Sequence, residues 1–127
     1  MNKPAKLSET ELEVMEVMWN QKPPVTVSHL LQIFKEEKGW KTSTLSTLLA
    51  RLMEKGYLTK TLLGKVNQYT PIITRQQHQN LTTRAFLEDV HRGSVKSFLA
   101  SLADDELTNQ ELEELKTWFQ QKYEEKP

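Results

Sequence analysis

The chain has 127 residues, of which 37% are hydrophobic and 27% charged, an ordinary globular mixture rather than a disordered or membrane-spanning one. Cysteine is absent, which excludes disulfides, thiolate metal sites and cysteine nucleophiles. The formal net charge of zero argues at first against a nucleic-acid partner, yet residues 1–71 hold ten Lys/Arg against seven Asp/Glu, and residues 72–127 hold seven against ten.

The opening MNKPAKLSET lacks the apolar stretch of a secretion signal, and no later run approaches a membrane span, so the chain is expected in the cytoplasm and off the membrane. Ser8 and Glu11 have the spacing of a capping box, in which each side chain bonds a free backbone N–H, so a first helix begins at Ser8. Leu12, Met15 and Trp19 share one of its faces, with Val14 and Met18 beside them, and Pro23-Pro24 forbids continuation. Thr26 caps a second helix in which Val27, Leu30, Leu31 and Phe34 keep helical spacing, and Gly39 is its natural stop. A third helix runs from a Thr42 cap to Gly56 and buries Leu45, Leu48, Leu49, Leu52 and Met53, with Trp40 and Tyr57 flanking it as core anchors. Residues 57–61 and 66–70 alternate as two short strands, joined by Leu62-Leu-Gly-Lys65 with Gly64 supplying the turn, and Pro71 closes the unit. Helices over roughly 74–91, 94–103 and 108–124 follow, the last opening with a second capping box at Thr108 and Glu111. The predicted fold is mainly α with a small β-hairpin wing: a winged helix-turn-helix over residues 1–71, then a three-helix segment over 72–127.

The third helix raises the functional question. Opposite its leucine stripe stand Ser43, Ser46, Thr47 and Ala50, with Thr44 and Arg51 on the flanks and Lys41 and Thr42 at its start. From Trp40 to Thr70 the bases are Lys41, Arg51, Lys55, Lys60 and Lys65, against Glu54 alone. A DNA major groove suits such a face, because hydroxyls reach base edges or phosphates, a threonine methyl touches the methyl of thymine, and arginine forks onto guanine. Carboxylates there would be repelled by phosphate. The alternative is a solvated surface that happens to be rich in serine and threonine. A helix–helix–helix–hairpin unit with a basic third helix favours DNA, with Lys60 and Lys65 of the hairpin placed for phosphates, although hairpin lysines also serve plain solubility. A winged helix that grips a protein instead would carry exposed aromatics or acids on the third helix and wing.

Three stretches, LSETELEVMEVMW at 7–19, GWKTSTLSTLLARLMEKGYL at 39–58 and KVNQYTP at 65–71, resemble the penicillinase-repressor family of winged-helix repressors. That family includes the β-lactamase, methicillin-resistance and copper-responsive repressors, and the likeness covers nearly the whole chain. It implies repression of β-lactam-response or related genes from an inverted-repeat DNA operator by a homodimer, with repressor rather than activator resting on the resemblance alone. By the same likeness Ser43, Thr44, Ser46, Thr47 and Arg51 match recognition-helix positions and Lys65 matches the wing. Several members carry a proline after the tryptophan pair and a base before the first threonine, where this chain has Thr42 and Ser43, a departure that bears on operator preference.

The tail helices suit dimerisation, since none is long enough to be stable alone and their faces, with Val95, Phe98, Leu99, Leu102, Leu112, Leu115 and Phe119, need partners. Folding back on the winged helix within one monomer is the alternative. The acids Asp104-Asp105-Glu106, Glu111, Glu113 and Glu114 read most simply as solvated surface, with keeping the tail off DNA as the alternative. Copper-responsive members hold cuprous ion with paired cysteines, a route closed here, and His29, His78 and His91 are scattered as surface or interface residues, so no metal or cofactor is expected. In β-lactamase-type relatives an inducing protease leads to cleavage at an Asn-Phe pair. Alignment of the tails puts Ala100-Ser101 there, so the cleavage site is not preserved. No phosphate loop or histidine–carboxylate cluster supports an enzyme.

Overall fold

The computed structural model describes residues 6–103 and 107–125. They form α1 (Glu9–Asn20), β1 (Val25–Thr26), α2 (Val27–Lys38), α3 (Thr42–Glu54), β2 (Leu58–Leu63), β3 (Val66–Pro71), α4 (Arg75–His91), α5 (Val95–Ala103) and α6 (Asn109–Glu125). The mainly α fold with one hairpin is the architecture that the patterning implies. The acidic run at 104–106 lies outside the described residues.

Local chemistry sets the helix ends. Ser8 Oγ accepts the Glu11 N–H at 3.2 Å while Glu11 Oε1 accepts the Ser8 N–H at 2.7 Å, a complete capping box. Thr26 Oγ1 accepts the His29 N–H at 3.2 Å. Gly39 closes α2 with φ 68, and its N–H reaches the Lys35 and Phe34 carbonyls, a left-handed turn that any Cβ would strain. The third helix departs from expectation at its start. Lys41 and not Thr42 holds the cap position, because the Leu45 N–H bonds the Lys41 carbonyl at 3.2 Å and Thr42 is already helical.

The hairpin is longer and its turn tighter than the alternation suggests. β2 pairs antiparallel with β3 from Leu58↔Pro71 to Leu63↔Val66, leaving Gly64 (φ 65) and Lys65 to turn the chain. The other edge of β3 takes β1 through Val25↔Tyr69 and Thr26↔Gln68, in the order β1-β3-β2. A strand of two residues is too short to show alternation, so only the structure reveals it. Val14, Met15 and Met18 of α1, Leu30 and Phe34 of α2, and Leu45, Leu48, Leu49 and Leu52 of α3 close one core with Val25, Tyr57, Leu58 and Tyr69. Leu12, Trp19, Val27, Leu31 and Met53 sit at the stripe margins, half-buried.

The chain divides into two compact units, Met1–Thr83 and Arg84–Pro127, a division that falls inside α4 and beyond the hairpin's end at residue 71. The first turns of α4 are tied to the winged helix. Trp19 Nε1 donates to the Ile73 carbonyl at 2.9 Å, the Tyr57 hydroxyl and His78 Nδ1 share a hydrogen bond of 2.9 Å, and Arg75 donates to Glu16 at 2.9 Å and to Asn20 at 3.0 Å. In the second unit the rings of Phe86, His91 and Phe98 meet edge to face, with centroids 5.6–6.0 Å apart. No described residue of this unit is buried.

Candidate nucleic-acid interface

The leucine stripe fixes α3 by burying Leu45, Leu48, Leu49 and Leu52 against α1 and β2, which turns the opposite side outward. Thr42, Ser43, Thr44, Ser46, Thr47, Ala50 and Arg51 are all exposed, as is Lys41. Thr47 Oγ1 donates to the Ser43 carbonyl at 2.9 Å, so its proton is used within the helix and its methyl and lone pairs are what it can offer outward. Arg51 makes no ion pair among the described residues, leaving all five guanidinium N–H groups available. The start of α3 has no side-chain cap and no acid in its first turn, so the positive end of the helix dipole is uncompensated there.

The face is not flat. A shallow concavity of about 430 Å³ is lined by Thr10, Trp40, Ser43, Thr44, Thr47, Leu48 and Arg51. Its Trp40 wall is held by stacking on Phe34, with centroids 4.5 Å apart at 14°. Thr10 joins the surface from α1, a residue that no pattern along the chain marks, since only the α1–α3 packing brings it there. Trp40 and Tyr57 serve the core as read from the sequence, half-buried and buried respectively.

Of the bases in the central stretch, Lys60 and Lys65 are exposed on the hairpin. Lys55 is not a free cation: its Nζ lies 2.6 Å from Glu11 Oε1 and donates to the Lys6 carbonyl at 2.8 Å. Lys41, Arg51, Lys60 and Lys65 are therefore exposed cations of one unit, the first two on the helix that bears the hydroxyl face.

The tail residues fall in the second unit. Val95, Leu99, Ala100, Leu112, Leu115 and Phe119 line an apolar groove of about 580 Å³ between α5 and α6. Phe98 turns into the ring cluster of its unit instead, and Leu102 is half-buried outside the groove lining. Phe86, Val90, Trp118 and Tyr123 are large exposed side chains that helical periodicity did not single out. Ala100 and Ser101 sit inside α5, where Ser101 Oγ donates to the Phe98 carbonyl at 2.6 Å. No helix among the described residues is long and apolar enough to cross a membrane.

A sequence profile of the family described as penicillinase repressor matches residues 7–121. The chain belongs to the penicillinase repressor family. It is 30% identical to the penicillinase repressor of Bacillus licheniformis over 91% of this chain and 90% of that protein. It is 27% identical to the methicillin resistance regulatory protein MecI of Staphylococcus aureus over 95% and 98%. Among solved structures, the DNA-binding domain of the repressor BlaI matches at 32% identity with a TM-score of 0.54, covering 61% of this chain and 93% of that one. Monomeric Bacillus licheniformis BlaI bound to the blaP half-operator matches at 32% identity and a TM-score of 0.52, with the same coverage. The family is one of repressors, so the non-enzymatic reading of this chain rests on membership rather than on missing catalytic groups.

Proposed function

We propose that the protein is a sequence-specific DNA-binding transcriptional repressor of the cytoplasm, acting as a homodimer on an inverted-repeat operator. α3 enters the major groove, with Ser43, Thr44, Ser46, Thr47 and Arg51 toward base edges and Lys41 and Thr42 near the backbone, while Lys60 and Lys65 of the hairpin meet phosphates. The observation that carries the reading is the exposed side of α3, rich in hydroxyls, free of carboxylates from Thr42 to Arg51, and bearing an arginine with no ion-pair partner among the described residues. Support comes from family membership and from the relative solved on a half-operator. A winged helix that grips proteins instead is disfavoured, since Trp40 stacks on Phe34 and Tyr57 is buried. Induction by tail cleavage would require α5 to unwind at Ala100-Ser101, because proteases read extended chain.

Mobility-shift titration against the DNA upstream of its own gene tests the reading. The best inverted repeat should bind at least about a thousandfold tighter than random duplex at equal salt, and affinity should fall steeply as salt rises. Equal affinity for both would end it. Arg51→Ala should weaken operator binding by about tenfold or more, the value of one good arginine–guanine fork, and weaken random-duplex binding far less. Equal losses would reduce Arg51 to a phosphate contact.

A further inference from the structure

Of the hydroxyls on the outer side of α3, one has its polarity settled. Thr47 Oγ1 donates to the Ser43 carbonyl at 2.9 Å, whereas the Ser43, Thr44 and Ser46 hydroxyls make no hydrogen bond among the described residues and can turn either way. A threonine hydroxyl carries one proton and two lone pairs. With that proton committed to the helix, Thr47 accepts a hydrogen bond from outside but has none to give. Its side chain is branched at Cβ, so turning the oxygen back toward Ser43 leaves the methyl facing outward. An acceptor and a methyl group thus stand side by side on one carbon. The surroundings suit the methyl, because Thr47 shares its concavity with the apolar side chains of Trp40 and Leu48. Stacking on Phe34, with centroids 4.5 Å apart, holds Trp40 as a fixed wall.

We propose that Thr47 recognises the 4-amino and 5-methyl groups of 5-methylcytosine together, so that operator binding responds to methylation of cytosine. This rests on the DNA-binding reading above. In the major groove cytosine presents its N4 amino group as a donor, whereas thymine presents an O4 acceptor beside its C5 methyl. The lone pairs of Thr47 suit the amino group and oppose O4. Its methyl, backed by Trp40 and Leu48, suits a methyl on C5. Thymine therefore satisfies the methyl half alone, and plain cytosine the amino half alone. In 5-methylcytosine both groups sit on neighbouring ring atoms, matching the two that share the Cβ of Thr47. Arg51 lines the same concavity, and its fork fits the guanine that pairs with such a cytosine. Thr47 is thus a reader of a modified base, where a threonine with a free hydroxyl would accept either pyrimidine.

The test uses full-length protein and the duplex that it prefers from a randomised library, with each base pair of a half-site set in turn, in both orientations, to C·G, 5-methyl-C·G, U·A and T·A. At one position 5-methylcytosine should bind about fourfold tighter than cytosine, and thymine about fourfold tighter than uracil, the worth of one methyl group taken from water. Thr47→Ser keeps the acceptor and loses the methyl, so both gains should vanish there. Thr47→Val keeps the methyl and loses the acceptor, so both gains should survive while 5-methylcytosine falls about fivefold relative to thymine. Thr47 is exposed, so neither substitution disturbs the core. Affinity that ignores the methyl at every pair, or gains that persist in Thr47→Ser, would overturn the proposal. So would a Thr47→Val protein that ranks 5-methylcytosine against thymine as the wild type does. A library that yields no preferred sequence would instead bring down the DNA-binding reading, and this inference with it.

Discussion

Glu11 is 1% exposed, which by itself would push its carboxyl upward. The Lys55 ammonium at 2.6 Å, the Ser8 N–H and Ser8 hydroxyl reverse this, and together they hold the group below its ordinary value of 4.5. A depressed carboxyl contributes stability that is present above the unfolded value and is lost as pH falls through the folded one. The wild type should therefore lose stability on acidification between about pH 5 and pH 3 more steeply than Glu11→Gln, which cannot titrate. At neutral pH the variant should be less stable by about 1–3 kcal/mol, because the Lys55 ammonium, itself a quarter exposed, would face a neutral amide oxygen in place of a carboxylate. Urea unfolding across that range measures both, and parallel pH curves for the two proteins would show that Glu11 is not the titrating group. The capping half of this arrangement is legible, since Ser8 and Glu11 are three residues apart. The Lys55 half is not, because its partner lies 44 residues away and a charge count along the chain cannot tell a free cation from a neutralised one.

At the level of elements, what repeats locally is readable and what is held by distant pairs is not. Leucines at 45, 48, 49 and 52 give away both the third helix and its outward face, and Gly39 and Gly64 mark ends that need left-handed backbone. β1 escapes because its two residues owe their conformation to the free edge of β3. The tie between the first turns of α4 and the winged helix escapes for a similar reason: Trp19–Ile73, Tyr57–His78 and Arg75–Glu16 join positions 54, 21 and 59 residues apart, and none leaves a periodic trace. Burial also raises the Tyr57 phenol above its ordinary value, so it stays neutral and available to His78 well into the alkaline range. Tyr57→Phe keeps the ring in the core and removes only the hydroxyl. It should cost about 0.5–1.5 kcal/mol and speed amide exchange in the first turns of α4 beyond the loss seen in α3. A uniform change across both helices would mean that the hydrogen bond does not anchor α4.

For the whole molecule, the open question is what completes the second unit. Its ring cluster and its α5–α6 groove involve large apolar side chains, yet none of its described residues is buried, and Val95, Leu112 and Phe119 in the groove remain exposed. Short helices gain little stability from their own hydrogen bonds, so such a surface is best satisfied by an identical one across a two-fold axis. Pairing would also give the symmetry that an inverted repeat demands, because one recognition helix reads too few base pairs to select a single site. The spacing of Val95, Leu99, Leu112, Leu115 and Phe119 foretells that they line one groove, whereas Phe98 meets the ring of Phe86 within its own unit, a distinction that helical periodicity cannot make. Sedimentation should find the wild type dimeric at micromolar concentration and the Phe119→Asp variant largely monomeric, since two charges would then be buried across the axis. The same variant should bind a half-site as the wild type does and lose the advantage of the full repeat, because α3, the proposed recognition helix, lies in the other unit. A wild type that stays monomeric throughout that range, or a variant that remains dimeric, would place the pairing surface elsewhere.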